Sequence, residues 1–355
     1  VLEIDVAVSG DAEALAREME RAGLGRSVPL SSRAPRVFRV AGRREIDLAE
    51  LEGASIEGDL ARRDFTVNAI ALGIPAGVWL DPFGGIADLA ARRLRVVRAA
   101  NLLDDPARVL RAARFRATHQ LRPDAATSLA CRRAAKALSG VAPERLRVEL
   151  VKLLEAERAA PALAWAASVR ALAPALGASP AARRLVRSLP VLDRQSIRQL
   201  APPARRRTRL ALIAAALGLS PSEASRWLAS RRYSRKESAD VGTLLGLLRQ
   251  ARGARSDYQK WSWVREAGPR AGEALALLAL LNPRERTRAR ALRNRAERAS
   301  RSLRVRGSDL LDWLGIPPGP RVGALLRELE LESLRGGIRT RREARSWLRN
   351  RIRGA

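Results

Sequence analysis

The spacing of hydrophobic residues changes along this chain, and the change confines any sheet to residues 1–100. Leu2-Glu3-Ile4-Asp5-Val6-Ala7-Val8 alternates apolar with acidic or small residues, the period of a strand, and so places Glu3 and Asp5 on one face. Arg36 to Val40, Glu45 to Leu48 and Val78 to Leu80 read as further short strands. Gly10-Asp11 opens a helix running to Ala22, with Asp11 as its N-cap. From Asp104 onward Ala, Leu and Arg recur at helical spacing, broken at Pro123, Gly140, Pro161, Pro174, Gly177, Pro180, Pro190 and Pro202-Pro203. The expected fold class is α+β: an α/β head followed by an all-α remainder. The stretch from Arg183 to Arg298 is rich in Ala and Arg but keeps periodic Leu and Trp positions, so it reads as helical rather than disordered. Near the end, Gly307 to Leu314-Gly315 reads as a helix, and Pro317-Pro318-Gly319-Pro320 as a turn before a helix from Val322 to Leu334.

At 355 residues the chain can bury sizeable cores in two or more domains. Its formal net charge of +30 favours RNA or DNA as partner, because a basic surface releases the counterions of a phosphate backbone. Arginine supplies nearly all of that charge, with lysine only at Lys136, Lys152, Lys236 and Lys260; a coding bias would give the same excess. The single Cys131 has no intrachain disulfide partner, and one cysteine with one histidine cannot build a structural zinc site. Apolar runs such as Leu210 to Leu219 are too short to cross a bilayer, so no membrane role and a cytoplasmic setting are expected.

Three elements carry chemistry. Glu3 and Asp5 on one strand face could hold a divalent metal, or form a solvated outer face. Downstream lies Arg62-Arg63-Asp64-Phe65-Thr66-Val67-Asn68-Ala69, in which guanidinium groups suit phosphate oxygens and Asp64 and Asn68 suit hydroxyls; alone it could be a surface ion-pair cluster. In Asp104-Asp105-Pro106-Ala107-Arg108-Val109-Leu110-Arg111, a helix starting at Pro106 would set Asp105, Arg108 and Arg111 on a broad common face. A carboxylate beside a guanidinium can match a base edge, and can equally be an acidic cap with a salt bridge.

In order and spacing the three elements resemble class II tRNA nucleotidyltransferases, the family of CCA-adding enzymes and bacterial poly(A) polymerases. The resemblance extends to Asp81-Pro82-Phe83-Gly84-Gly85-Ile86-Ala87-Asp88-Leu89, to Pro143-Glu144-Arg145-Leu146-Arg147-Val148-Glu149-Leu150 and to a tail-like segment from Gly307 to Leu348. It implies a polymerase β-like nucleotidyltransferase head (1–100), a helical neck with a nucleotide-selecting helix (101–160), a helical body (161–300) and a tRNA-binding tail (301–355). It also implies a helix, a strand and a glycine-rich turn ahead of Val1.

By this resemblance the candidate catalytic carboxylates are Glu3, Asp5 and Asp47, with Glu45 as a substitute for the third. Glu3 and Asp5 hold metal, Glu3 standing where the family usually has Asp. Two Mg²⁺ ions would serve the reaction. Arg62, Arg63, Asp64, Asn68, Asp105, Arg108 and Arg111 bind nucleotide, with Asp64 near the sugar, Arg63 and Asn68 near the nucleotide, and Asp105 and Arg108 reading the base. The implied activity is addition of CMP and AMP to the tRNA 3′ end from CTP and ATP. The alternatives are a bacterial poly(A) polymerase and an RNA-binding protein of impaired catalysis. Glu144, Arg145 and Glu149 are expected to brace the neck, Gly84-Gly85 to make a tight turn, and Trp165, Trp227, Trp261, Trp263, Trp313 and Trp347 to anchor helices. The connection from Asp47 to Arg62 is about half the length the family's CCA-adding members use. Within the family a short connection accompanies enzymes that add only CC. Oligomeric state is left open.

Overall fold

The computed structural model describes residues 3–31, 35–51, 55–177, 182–281, 284–285, 287, 291–292, 294, 305–335 and 337–353. The chain divides into two compact units, Val1–Val141 with Trp165–Gly177, and Ala142–Ala164 with Ala178–Ala355.

The first unit opens on a four-stranded sheet of order β1-β4-β3-β2, formed by β1 (Glu3–Val8), β2 (Gly25–Ser31), β3 (Val37–Gly42) and β4 (Glu45–Glu50). β1 runs parallel to β4; the other pairs are antiparallel. Alternation sorts the side chains. Ile46, Leu48, Phe38 and Val40 fall on the face of Val6 and Val8, where α1 (Ala12–Arg21) covers them with Ala12, Leu15, Ala16 and Met19. Asp5, Asp47 and Arg39 fall on the opposite face, in register across three strands. Asp11 caps α1 as expected, accepting hydrogen bonds from the backbone N–H groups of Glu13 (2.9 Å) and Ala14 (3.1 Å). Those bonds, with Arg36 and Arg17 nearby, hold its carboxyl below the usual range. β2 is a strand that sequence patterning missed: Pro29 and exposed Val28 and Leu30 give it no alternation, and it is tolerated as the edge strand.

The rest of the unit holds α2 (Ile56–Ala61), a 3₁₀ turn over Thr66–Asn68, the hairpin β5 (Ala71–Leu72) and β6 (Trp79–Leu80), α3 (Gly85–Ala90), the parallel pair β7 (Arg93–Leu94) and β8 (Arg122–Pro123), α4 (Ala100–Asp104), α5 (Arg108–Thr118) and α6 (Ala125–Ala134). Phe65 is fully buried and meets Phe115 edge to face at 5.9 Å. Gly84-Gly85 makes the expected turn for steric reasons. Gly84 has φ +72°, and a Cβ on Gly85 would stand 2.1 Å from the Thr66 carbonyl oxygen. Asp81 caps α3 through the N–H groups of Gly85 (2.6 Å) and Ile86 (2.9 Å). Cys131 is buried, and burial pushes its thiol up to about 12.

The second unit is helical. α7 (Pro143–Glu155) packs on the helix Pro202–Ala216, and that helix on Arg235–Gly253 and Ala271–Leu281. Glu149 is buried within α7. Arg209 is completely buried and donates to the carbonyl oxygens of Leu192 (2.9 Å), Leu154 (2.8 Å), Ala156 and Glu157 (2.9 Å) and to the Asp193 carboxylate (2.7 Å). Burial pulls it down to about 10. Trp263 donates to the Leu247 carbonyl at 2.6 Å, the anchoring role expected of it. Gly307–Leu314, Pro320–Arg335 and Arg341–Arg353 close around Leu310, Val322, Leu325, Leu329, Ile338, Ala344 and Leu348, with Trp313 and Trp347 against that core. Gly315 ends the first of these helices in the left-handed conformation, as its sequence suggests. Among the described residues no helix is long and apolar enough to cross a membrane.

Candidate functional site

Candidate residues of the first unit gather in two clusters. On the sheet, parallel pairing of β1 and β4 sets Asp5 opposite Asp47 and the Glu3 backbone opposite that of Glu45. Arg39, opposite Asp47 on the other side, donates from Nε to Asp47 Oδ1 (2.7 Å) and from Nη2 to Asp47 Oδ2 (2.8 Å); its Nη1 reaches Glu45 Oε2 at 3.0 Å. This is a two-pronged guanidinium–carboxylate pair with a second carboxylate attached. Asp5 is exposed. The side chain of Glu3 lies outside the described residues.

This geometry tests the expected metal set. Among the described residues no three His, Cys, Asp or Glu side chains stand close enough to hold a metal ion. Asp5, an exposed carboxylate on the strand that also carries Glu3, fits a divalent cation as a hard oxygen donor. Asp47 does not fit, since both its oxygens are engaged by Arg39.

The second cluster joins the Arg62 box to the start of α5. Asp64 is 3% exposed. Its carboxylate accepts from the Phe65 N–H (2.8 Å), Asn68 Nδ2 (3.0 Å) and Arg111 Nη1 (3.1 Å). A carboxylate so enclosed acts on the site through Arg111 and Asn68, and the expected place of Asp64 beside the sugar is not what this geometry presents. Arg63 is held by Asp59, Nη2 to Oδ2 at 2.9 Å, and Arg62 lies 3.7 Å from the other oxygen of Asp59. Asp105 and Arg108 do sit side by side, with Arg108 Nε 3.6 Å from Asp105 Oδ2. α5 begins at Arg108 rather than Pro106, and Asp105 stands just outside it, accepting from the Ala107 N–H at 3.2 Å. Arg108 Nη1 donates to the carbonyl oxygens of Arg62 (2.9 Å) and Asn101 (3.1 Å). Arg111 turns instead to Asp64, so the common face drawn from spacing divides between two partners.

Sequence reading missed Asn101. It is buried on α4 and donates from Nδ2 to the carbonyl oxygens of Ala61 (2.9 Å) and Arg63 (2.7 Å), lacing the box to the segment that carries Arg108. A lone amide before the Leu102-Leu103 pair was the available signal. Asp88 was also missed. It is buried, accepts from Thr66 Oγ1 (2.7 Å) and Arg95 Nε (2.8 Å), and fastens the 3₁₀ turn to α3.

Known proteins match this arrangement along most of the chain. A family model described as the poly A polymerase head domain matches residues 31–95, one described as the "Probable RNA and SrmB- binding site of polymerase A" matches 120–176, and one for tRNA nucleotidyltransferase domain 2 matches 204–346. A CC-adding tRNA nucleotidyltransferase of Synechocystis sp. is 45% identical over 113 residues, which is 32% of this chain and 27% of that protein. A CC-adding tRNA nucleotidyltransferase of Geobacter sulfurreducens is 30% identical over 374 aligned positions, covering 98% of this chain and 87% of the relative. The chain belongs to the class II tRNA nucleotidyltransferase and poly(A) polymerase family. Membership makes it an enzyme of the nucleotidyltransferase class. The fold agrees with those of solved members. A Thermotoga maritima CCA-adding enzyme complexed with tRNA superposes with TM-score 0.73 at 22% identity over 99% of this chain and 87% of the other. A Bacillus stearothermophilus CCA-adding enzyme in complex with CTP gives 0.66 at 25% identity over 100% and 89%. In a nucleotidyltransferase of this family the sheet face and the laced box are the two parts of one head.

Proposed function

We propose that this chain adds CMP to the 3′ end of tRNA from CTP, completing the first two nucleotides of the CCA end, with ATP a poor substrate. The observation that carries the reading is the laced box: Arg108 is fixed to the Arg62 backbone with Asp105 beside it. That arrangement presents an acceptor and a donor together, which is what selection of a base edge requires. Arg62 and Arg63 leave α2 at the same place, where phosphate oxygens would find guanidinium donors. Asp5, with Glu3 beside it in sequence, would hold Mg²⁺, which when bound neutralises triphosphate charge and lowers the pKa of the attacking hydroxyl. The net charge of +30 supports tRNA as partner, with affinity falling steeply as salt rises, and a tRNA-maturing enzyme belongs in the cytoplasm.

Restriction to CC rests on the short connection. Only Leu51 to Ser55 separate β4 from α2, and the two relatives with CC-adding names are those given above. A pocket that must present different edges to C and A needs a segment that moves with the growing end, and so short a link has little slack for it. The test offers tRNA ending at the discriminator base with CTP, tRNA ending in CC with ATP, and unstructured RNA with ATP. Efficient CC addition with A addition at least tenfold slower supports the reading. Equal rates on the two tRNAs mean full CCA addition, and tailing of unstructured RNA means a poly(A) polymerase.

A further inference from the structure

The expected third carboxylate already has an occupant. Asp47 lies between Asp5 and Arg39 in cross-strand register, yet its two oxygens point to the arginine, and Glu45 takes another donor of the same guanidinium. Three contacts from two residues fix the group in plane and in position, far more firmly than a freely rotating surface arginine. Adjacent strands lie about 4.8 Å apart, so a guanidinium drawn from β3 over β4 stands roughly one strand spacing from the line of β1. That span suits an anion whose one oxygen meets a cation held at Asp5 and whose next oxygen meets Arg39. The face also needs such a group. Asp5, Glu45 and Asp47 without Arg39 would repel an incoming triphosphate.

We propose that Asp47 is a positioning residue for Arg39 rather than a metal ligand, and that Arg39 receives the triphosphate of the incoming nucleotide beside the metal carried by β1. The inference rests on the nucleotidyltransferase reading of the sheet face and adds a division of labour to it. β1 holds the cation, β4 aims the guanidinium, and β3 supplies it. Glu45 is the second brace, which keeps Nη1 oriented while Nε and Nη2 stay with Asp47.

The experiment uses the full chain and two probes read separately from turnover, Mn²⁺ by electron paramagnetic resonance and CTP by equilibrium binding in saturating Mn²⁺. Circular dichroism melts confirm that each variant is folded. Asp5→Asn is expected to lose Mn²⁺. Asp47→Asn is expected to keep Mn²⁺ affinity within about twofold of the parent but to bind CTP about tenfold more weakly, the change that loss of one charged contact brings. Arg39→Ala is expected to bind Mn²⁺ more tightly, because Asp47 and Glu45 are uncovered, and CTP more weakly. Arg39→Lys should restore part of the CTP affinity, since the charge returns without the fork. Loss of Mn²⁺ by Asp47→Asn to the extent seen with Asp5→Asn overturns the inference alone and makes Asp47 a ligand. Unchanged CTP affinity in Arg39→Ala likewise overturns it. Retention of Mn²⁺ by Asp5→Asn overturns the metal reading of β1 and the inference with it.

Discussion

On the sheet, Arg39 is 30% exposed and its partner Asp47 22%, whereas in the box Asp64 is 3% exposed and bound to backbone, amide and guanidinium at once. Both regions neutralise acidic side chains with arginine, but water screens the first and is excluded from the second. A screened pair is worth little to stability and can exchange partners when substrate arrives. An enclosed carboxylate cannot exchange without leaving a buried charge unpaired. The sheet face is thus suited to meeting ligand and the box to holding shape.

If that contrast is right, substitutions in the two regions separate on stability, and four measurements sharpen or break it. Asp64→Ala removes three acceptor contacts and leaves Arg111 without its partner, so urea unfolding should show a loss of about 3 kcal/mol. A loss under about 1 kcal/mol would mean that water already reaches Asp64. Gly85→Ala forces a methyl against the Thr66 carbonyl and should cost about 2 kcal/mol, with a lowered melting temperature as the readout. Asn101→Ala strands the carbonyl oxygens of Ala61 and Arg63 and should cost about 1–2 kcal/mol. Because Asn101 also braces Arg108, UMP incorporation should rise relative to CMP; a stability loss without that change would make Asn101 structural alone. Smallest of all, Arg39→Ala should shift stability by less than about 1 kcal/mol while impairing nucleotide addition strongly. A large loss of stability there would erase the distinction between the two regions.

What the sequence disclosed follows the same division. The acidic face was legible because strand alternation is a local pattern, and Asp5 and Asp47 fell where it put them. The helices were legible from proline, glycine and leucine spacing, as Gly307–Leu314 with its Gly315 cap illustrates. β2 was not, since Pro29 and a polar run give an edge strand no periodic signature. Nor could local pattern reveal that Asp64 turns inward, because its partner Arg111 lies forty-seven positions away and the pairing exists only once α5 is packed. Arg39 escaped for a related reason. Its alternation in Val37-Phe38-Arg39-Val40 placed it on the acidic face, but which carboxylate it would meet depended on the order of strands.

One arginine bears on how such a composition can arise. A lineage whose mutations favour arginine codons can exchange surface lysines freely, since either cation suits bulk water. Arg209 is a different case. Its planar fork reaches four carbonyl oxygens and one carboxylate from a site sealed from solvent, and an ammonium has neither the five donors nor the breadth to do so. A reversal of the mutational tide would return lysine to much of the exterior of this protein and leave position 209 as it is.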